Sequence, residues 1–170
     1  MMKSFYKWQL IGFGVTVVCG VLLHFLYEWS GESVWVAPFS AVNESTWEHM
    51  KLLFIPMFIF AIVESFYFKE REDFWDIKFR GILLGLILIP VMFYTYNGVI
   101  GKSPDWINIA IFVISAFLSF LYELKLYKKD RIKYINKQNA VILLCFIASL
   151  FILFTFYPLD FAIFKELNNN

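Results

Sequence analysis

Asn43-Glu44-Ser45-Thr46-Trp47-Glu48-His49-Met50-Lys51 is a dense polar run that passes without a break into the apolar segment Leu52 to Val63. Polar residues at the mouth of a stretch with no charge in it mark the point where a chain leaves water for a bilayer. Four further segments share that apolar character, so that the spans read as about 8–29, 48–68, 79–97, 106–124 and 139–158. Each is close to the roughly 20 apolar residues that a helix needs to cross the hydrocarbon core. The fold expected is all-α, an integral membrane bundle of five transmembrane helices making one domain over residues 1–170.

Composition agrees with the segments. The chain is 60% hydrophobic and 17% charged, whereas soluble domains lie near about 45–50% and about 25%. The lipid bilayer is therefore the expected partner, and five spans in 170 residues leave no room for a soluble catalytic domain. The net charge of +1 hides a strong asymmetry along the chain, and nucleic acid is not an expected partner. Cys19 and Cys145 stand singly inside apolar segments without the CxxC spacing of a thiolate site, and both read as packing residues. Lys3 and Lys7 precede the first apolar run as in a signal peptide. That run ends in His24, Tyr27, Glu28 and Trp29 with no small-residue cleavage site, so a retained first helix is expected.

Positive charge orients the bundle, because loops kept in the cytoplasm retain Lys and Arg. Of the 15 Lys and Arg residues, only Lys51, Lys102 and Lys165 fall on one side; the remaining twelve, including the run Lys125 to Lys137, fall on the other. The N-terminus is thus expected in the cytoplasm, the C-terminus outside, and the Asn43 to Lys51 run at the outer face. Trp29, Trp35, Trp47 and Trp106 then sit at the outer interface and Trp8 and Trp75 at the inner one, where aromatic anchors belong. The mixed-sign loop from Lys69 to Arg80 and the basic loop read as solvated charge flanking the membrane, and the tail Asn168-Asn169-Asn170 as a frayed end. Gly12, Thr16 and Gly20, like Gly81 and Gly85, recur every four residues, a stripe that lets helix backbones approach. Pro56 and Pro90 inside spans are expected to kink their helices. Glu64 and Glu123, near the inner ends of their spans, are expected to snorkel toward the cytoplasm.

The chemistry-bearing residues gather at the outer face. His24 and Glu28 are four apart and project from one helix face. Asn43, Glu44, Glu48, His49 and Lys51 open the second span at the same level. Together these seven form the expected binding cluster, with Tyr94, Asn97, Tyr157 and Asp160 as candidate pocket linings. One local role competes for part of it. Ser45-Thr46-Trp47-Glu48 is a capping box, in which Ser45 accepts from the Glu48 amide and the Glu48 side chain returns to the Ser45 amide. Glu44 and His49 then occupy the two staple positions as a polar pair.

A divalent metal held by His24, His49 and Glu28 is permitted by the donor types, with a second carboxylate as base. There is no HExxH, and two histidines exclude a three-histidine site within one chain. Neither a nucleophile elbow nor a phosphate-binding glycine loop is present. Three readings stay open: a site that binds or transports a cation, a small polar molecule or a lipid headgroup; a metal-dependent membrane hydrolase using His24, His49 and carboxylates, with Glu44 or Glu48 as base; and a structural or partner-docking membrane subunit. Whether the chain is an enzyme, which cofactor it takes and its oligomeric state all stay open as well.

Leu23-His24-Phe25-Leu26-Tyr27-Glu28-Trp29-Ser30 and the run Phe39 to Pro56 resemble a family of uncharacterised small bacterial membrane proteins that share an LHFxYEWSG pattern followed by NESxWEHxKLLFxP. The resemblance implies a five-pass protein of the bacterial plasma membrane with no assigned activity. The family's Pro-rich ending is reduced here to Tyr157-Pro158-Leu159-Asp160.

Overall fold

The computed structural model describes residues 2–101, 103–129 and 135–166, the side chains of Met2 and Asp105 excepted. Lys102, Arg131, Lys133 and the tail Asn168-Asn169-Asn170 lie outside the described residues. Five helices follow one another, α1 (Met2–Trp29), α2 (Thr46–Tyr67), α3 (Phe74–Val99), α4 (Asp105–Lys128) and α5 (Lys137–Phe156), then a single 3-10 turn at Ala162–Phe164. There is no strand among the described residues. All five helices are long and apolar enough to cross a membrane.

Helices α1 to α4 form a four-membered bundle, in which α1 packs on α2 and α4, and α3 packs on α2 and α4. Helix α5 lies outside it against α3 and α2. Helix α2 is thus the shared element, and its apolar window is the most buried of the five, at 56%. Large apolar side chains ring the outside: Leu10, Val18, Ile87, Val91, Ile142 and Phe146 are each half or more exposed. Water does not tolerate so continuous an apolar girdle on a monomer, whereas lipid does.

Small residues decide how closely the helices meet. A methyl group at Gly81 would run into the Glu123 side chain of α4, and one at Gly85 into Ser119 on the same face. Gly12 opposes Phe60 and Phe120, and Gly20 opposes Phe112. At Gly20 an added Cβ would also lie 3.1 Å from the carbonyl oxygen of Leu52. That carbonyl is four residues before Pro56, which has no N–H to offer it. Helix α2 nevertheless continues through Pro56, and α3 through Pro90.

Two expectations about side chains at the helix ends are corrected. Trp29, Trp35 and Trp106 are exposed, but Trp75 is buried and Trp47 is packed against Phe151, Phe154 and Phe164. Trp47 lies beneath α5 and the 3-10 turn, and Trp75 packs edge to face on Phe74 of its own helix. Glu64 and Glu123 do not snorkel; both are fully buried and converge on Lys78, which is itself 2% exposed. Helix α3 begins at Phe74, a turn before the apolar segment, so Lys78 enters the bundle with it.

Gly81→Ala should therefore destabilise the α3–α4 contact by about 1–3 kcal/mol, the range for overpacking a filled site. Gly14→Ala, at a position with open space around it, should change stability by less than about 1 kcal/mol, in the stabilising direction set by helix propensity. Thermal unfolding of the two variants in one detergent checks the contrast.

Candidate metal centre

The α1–α2 connection, residues 30–45, carries the site. Just past the end of α1, Gly31 and Glu32 take φ of 69° and 59°, and their amides return to the carbonyls of Glu28 and Tyr27. The chain then doubles back along α1. Ser40, fully buried, accepts from the Tyr27 amide at 2.9 Å and donates to the Leu23 carbonyl. Its hydroxyl is thereby inserted where the Tyr27-to-Leu23 backbone bond of α1 would run, which pins the loop one turn from His24.

A second clamp comes from α2. Glu48 and Lys51 form an ion pair of 2.6 Å with side chains 2% and 0% exposed. Glu48 also accepts from the Val42 amide at 3.0 Å and from the Thr155 hydroxyl of α5 at 3.1 Å. Lys51 donates to the Ala37 carbonyl and to Thr155, both at 2.8 Å. Loop, α2 and α5 are joined by this one network, every member of it paired as burial demands.

The capping box is half formed. Ser45 caps α2, its hydroxyl accepting from the Glu48 amide at 3.4 Å. The reciprocal bond expected from the Glu48 side chain is replaced, because the Ser45 amide donates to Asn43 Oδ1 at 3.0 Å. Burial explains the exchange: Glu48 has a lysine and a loop amide to satisfy, and Asn43 makes a local turn in its place.

Held this way, Glu44 stands over both histidines. Its carboxylate oxygens lie 3.7 Å from His24 Nε2 and 3.5 Å from His49 Nε2, and the two imidazoles meet edge to face with centroids 5.5 Å apart. One ligand atom from each of His24, Glu44 and His49 falls within 4.8 Å of the others. His49 Nδ1 is 2.9 Å from the Ser45 carbonyl oxygen. A carbonyl only accepts, so Nδ1 carries the hydrogen, and Nε2 presents either a lone pair or, when the ring is charged, a second N–H to Glu44. This is the arrangement in which an outer partner fixes the tautomer of a metal-ligating histidine. The site is half-open, with His24, His49 and Glu44 side chains 30%, 19% and 63% exposed, leaving a side for water or a further ligand.

The seven residues of the expected cluster thus divide. His24, Glu44 and His49 come together; Glu48 and Lys51 form the buried clamp beneath them; Asn43 shapes the turn; Glu28 is exposed and stands outside the three-residue group, where Glu44 supplies the carboxylate. The candidate linings lie elsewhere. Asn97 bonds to Phe93 and Ser103 within its own turn, Tyr94 meets Thr46, and Asp160 is an exposed ion pair with Lys165. Tyr157 is 73% exposed. Two contributors had no signal in the sequence: Ser40, and Glu166, which accepts from the Glu44 amide at 3.1 Å.

The contact with His24, and then the charges of His49 and His24, hold the Glu44 carboxyl below its usual value, against the opposing effect of partial burial. A carboxyl lowered in the fold contributes stability that is complete above its unfolded value of 4.5 and is lost as pH falls through the lowered one. Acid should therefore loosen the α1–α2 loop below the ordinary carboxylate range, and Glu44→Gln should remove that acid limb; hydrogen exchange of the loop amides against pH measures both. The clamp makes a larger prediction. Lys51→Met leaves a buried carboxylate alone and should cost about 3–5 kcal/mol, most of it recovered in Glu48→Gln/Lys51→Met. Chemical denaturation of the three proteins in detergent decides it.

No curated protein and no solved structure matches this chain. A family model described as a family of unknown function, DUF6512, matches residues 1–169, and the chain belongs to that family.

Proposed function

We propose that this is a five-pass protein of the bacterial plasma membrane, N-terminus in the cytoplasm and C-terminus outside, that binds a divalent transition-metal ion such as zinc at its outer face through His24, His49 and Glu44. The observation that carries the reading is the convergence of two imidazole nitrogens and a carboxylate within 4.8 Å. Two histidines and one carboxylate with an open side suit zinc, which takes N and O donors and tolerates water as a fourth ligand. The alternative for the same three groups is an ion pair that requires a protonated imidazole, and a metal removes that requirement by supplying the positive charge itself. The exposed apolar girdle supports the membrane reading, and the excess of Lys and Arg on one side supports the orientation.

Purified protein should retain near-stoichiometric transition metal by elemental analysis, or take up zinc on reloading, and a His24→Ala/His49→Ala variant of matched folding should not. Zinc at 100 times its dissociation constant should stabilise the native form by about 2.7 kcal/mol. Absence of metal after reloading, with no zinc-dependent stabilisation, would sink the reading. Orientation has its own check in a Cys19→Ala/Cys145→Ala background: Trp35→Cys should react with a membrane-impermeant thiol reagent on intact cells, and Lys69→Cys should react only after lysis. The reverse pattern would invert the topology.

A further inference from the structure

The other end of the bundle holds a second cluster, made where α1, α2, α3 and α4 meet. Lys78 of α3 pairs with Glu64 of α2 and, at 2.6 Å, with Glu123 of α4. Gln9 of α1 donates to Glu64 Oε1 at 3.2 Å and also faces Glu123. The four side chains are sealed: Glu64 and Glu123 are 0% exposed, Lys78 2% and Gln9 4%. Phe5, Phe74 and Phe120 stand around the ammonium, with ring centres 5.6 to 5.7 Å from Nζ.

Charge counting inside this enclosure does not close. Two carboxylates and one ammonium leave one uncompensated negative charge where water cannot reach it, and an isolated buried charge is far costlier than a neutralised one. Among the described residues, the neighbouring cations have other partners. On α4, one turn beyond Glu123, Tyr127 stacks on Phe5 and lies under Arg71 of the α2–α3 connection, and Arg71 is engaged by Asp73. Arg80 of α3 is engaged by Asp76. The ionisable groups of α5, Lys137 and Cys145, are exposed. Hydrogen bonding does not close either. Glu123 Oε1 and Gln9 Oε1 are both buried without a partner, and both are acceptors in need of a donor.

We propose that this cluster is a proton-binding site within the membrane domain, holding one proton on the Glu64/Glu123 carboxylate pair, with Glu123 Oε1 as the position that receives it. The proton comes from solvent and converts one carboxylate to a carboxylic acid, which brings the cluster from one net negative charge to neutrality and gives the unpartnered oxygens a donor. Gly81 belongs to the same device, since any larger residue there would displace the Glu123 carboxyl. The site lies about 22 Å along α1 from His24, taking 1.5 Å per residue, and is independent of the metal centre.

Infrared spectroscopy of the detergent-purified protein tests this. Wild-type protein at pH 7 should show the C=O stretch of a buried carboxylic acid, shifted in D2O and slow to exchange. Glu123→Gln and Glu64→Gln should each abolish it, because either leaves one carboxylate matched to Lys78; Glu32→Gln, at an exposed position, should leave it intact. Lys78→Met should roughly double its intensity, since both carboxyls then need a proton. A wild-type spectrum without the band would overturn the proposal whether or not any variant folds, as would a band that persists unchanged in both glutamine variants. Stabilisation of wild-type protein by sodium but not by choline, with no acid band, would replace the proton with a bound monovalent cation.

Discussion

The ion pair between Glu48 and Lys51 is the interaction on which the α1–α2 loop end of this molecule depends. A charged group sealed from solvent has no water to satisfy it, so each must find its partner within the protein. Glu48 and Lys51 do so at 2.6 Å and then spend their remaining hydrogen-bonding capacity on Val42, Ala37 and Thr155. Those contacts hold the connection between α1 and α2 down on the bundle. Glu44 comes to rest between His24 and His49 because the backbone on either side of it is fixed by Ser40, Val42 and Asn43.

The same logic recurs at the other end of α2. Glu64 shares Lys78 with Glu123, and Gln9 completes the group from α1, so four helices contribute one polar residue each to a single enclosure. Buried ion pairs are weak sources of net stability, since desolvation offsets most of their attraction. Their effect here is on geometry: they set the rotation and depth at which otherwise uniform apolar helices meet. The glycines act in the same direction. Gly81 leaves the volume that the Glu123 carboxyl occupies, and Gly20 lets α1 approach the Leu52 carbonyl that Pro56 leaves without a donor.

The helices were legible in the sequence because each carries an apolar window long enough to cross a bilayer, and such a window is a strong local signal. His24, Glu44 and His49 were legible as a polar group at one level for a related reason: ionisable residues at a span end stand out against their surroundings. Pairing was harder to see. Spacing of four residues ties Glu28 to the His24 face but says nothing of a loop that folds back over it, so the carboxylate that reaches both histidines is Glu44. Lys78 reads as loop charge until α3 is known to begin at Phe74. Glu64 and Glu123 read as snorkelling groups because each has its partner on another helix, Lys78 lying 14 positions from Glu64 and 45 from Glu123, and no local pattern reports a contact between helices. Ser40 and Glu166 act only through the fold of the connection and left no mark in the pattern.

The central claim is that His24, His49 and Glu44 are metal ligands, and X-ray absorption at the zinc edge of zinc-loaded protein tests it most directly. The account predicts a first shell of nitrogen and oxygen alone, near 2.0–2.1 Å for the imidazole nitrogens, with imidazole outer-shell scattering that falls when either histidine is replaced. A sulfur shell near about 2.3 Å, or a spectrum unaltered by the histidine substitutions, would place the ion elsewhere and contradict the account.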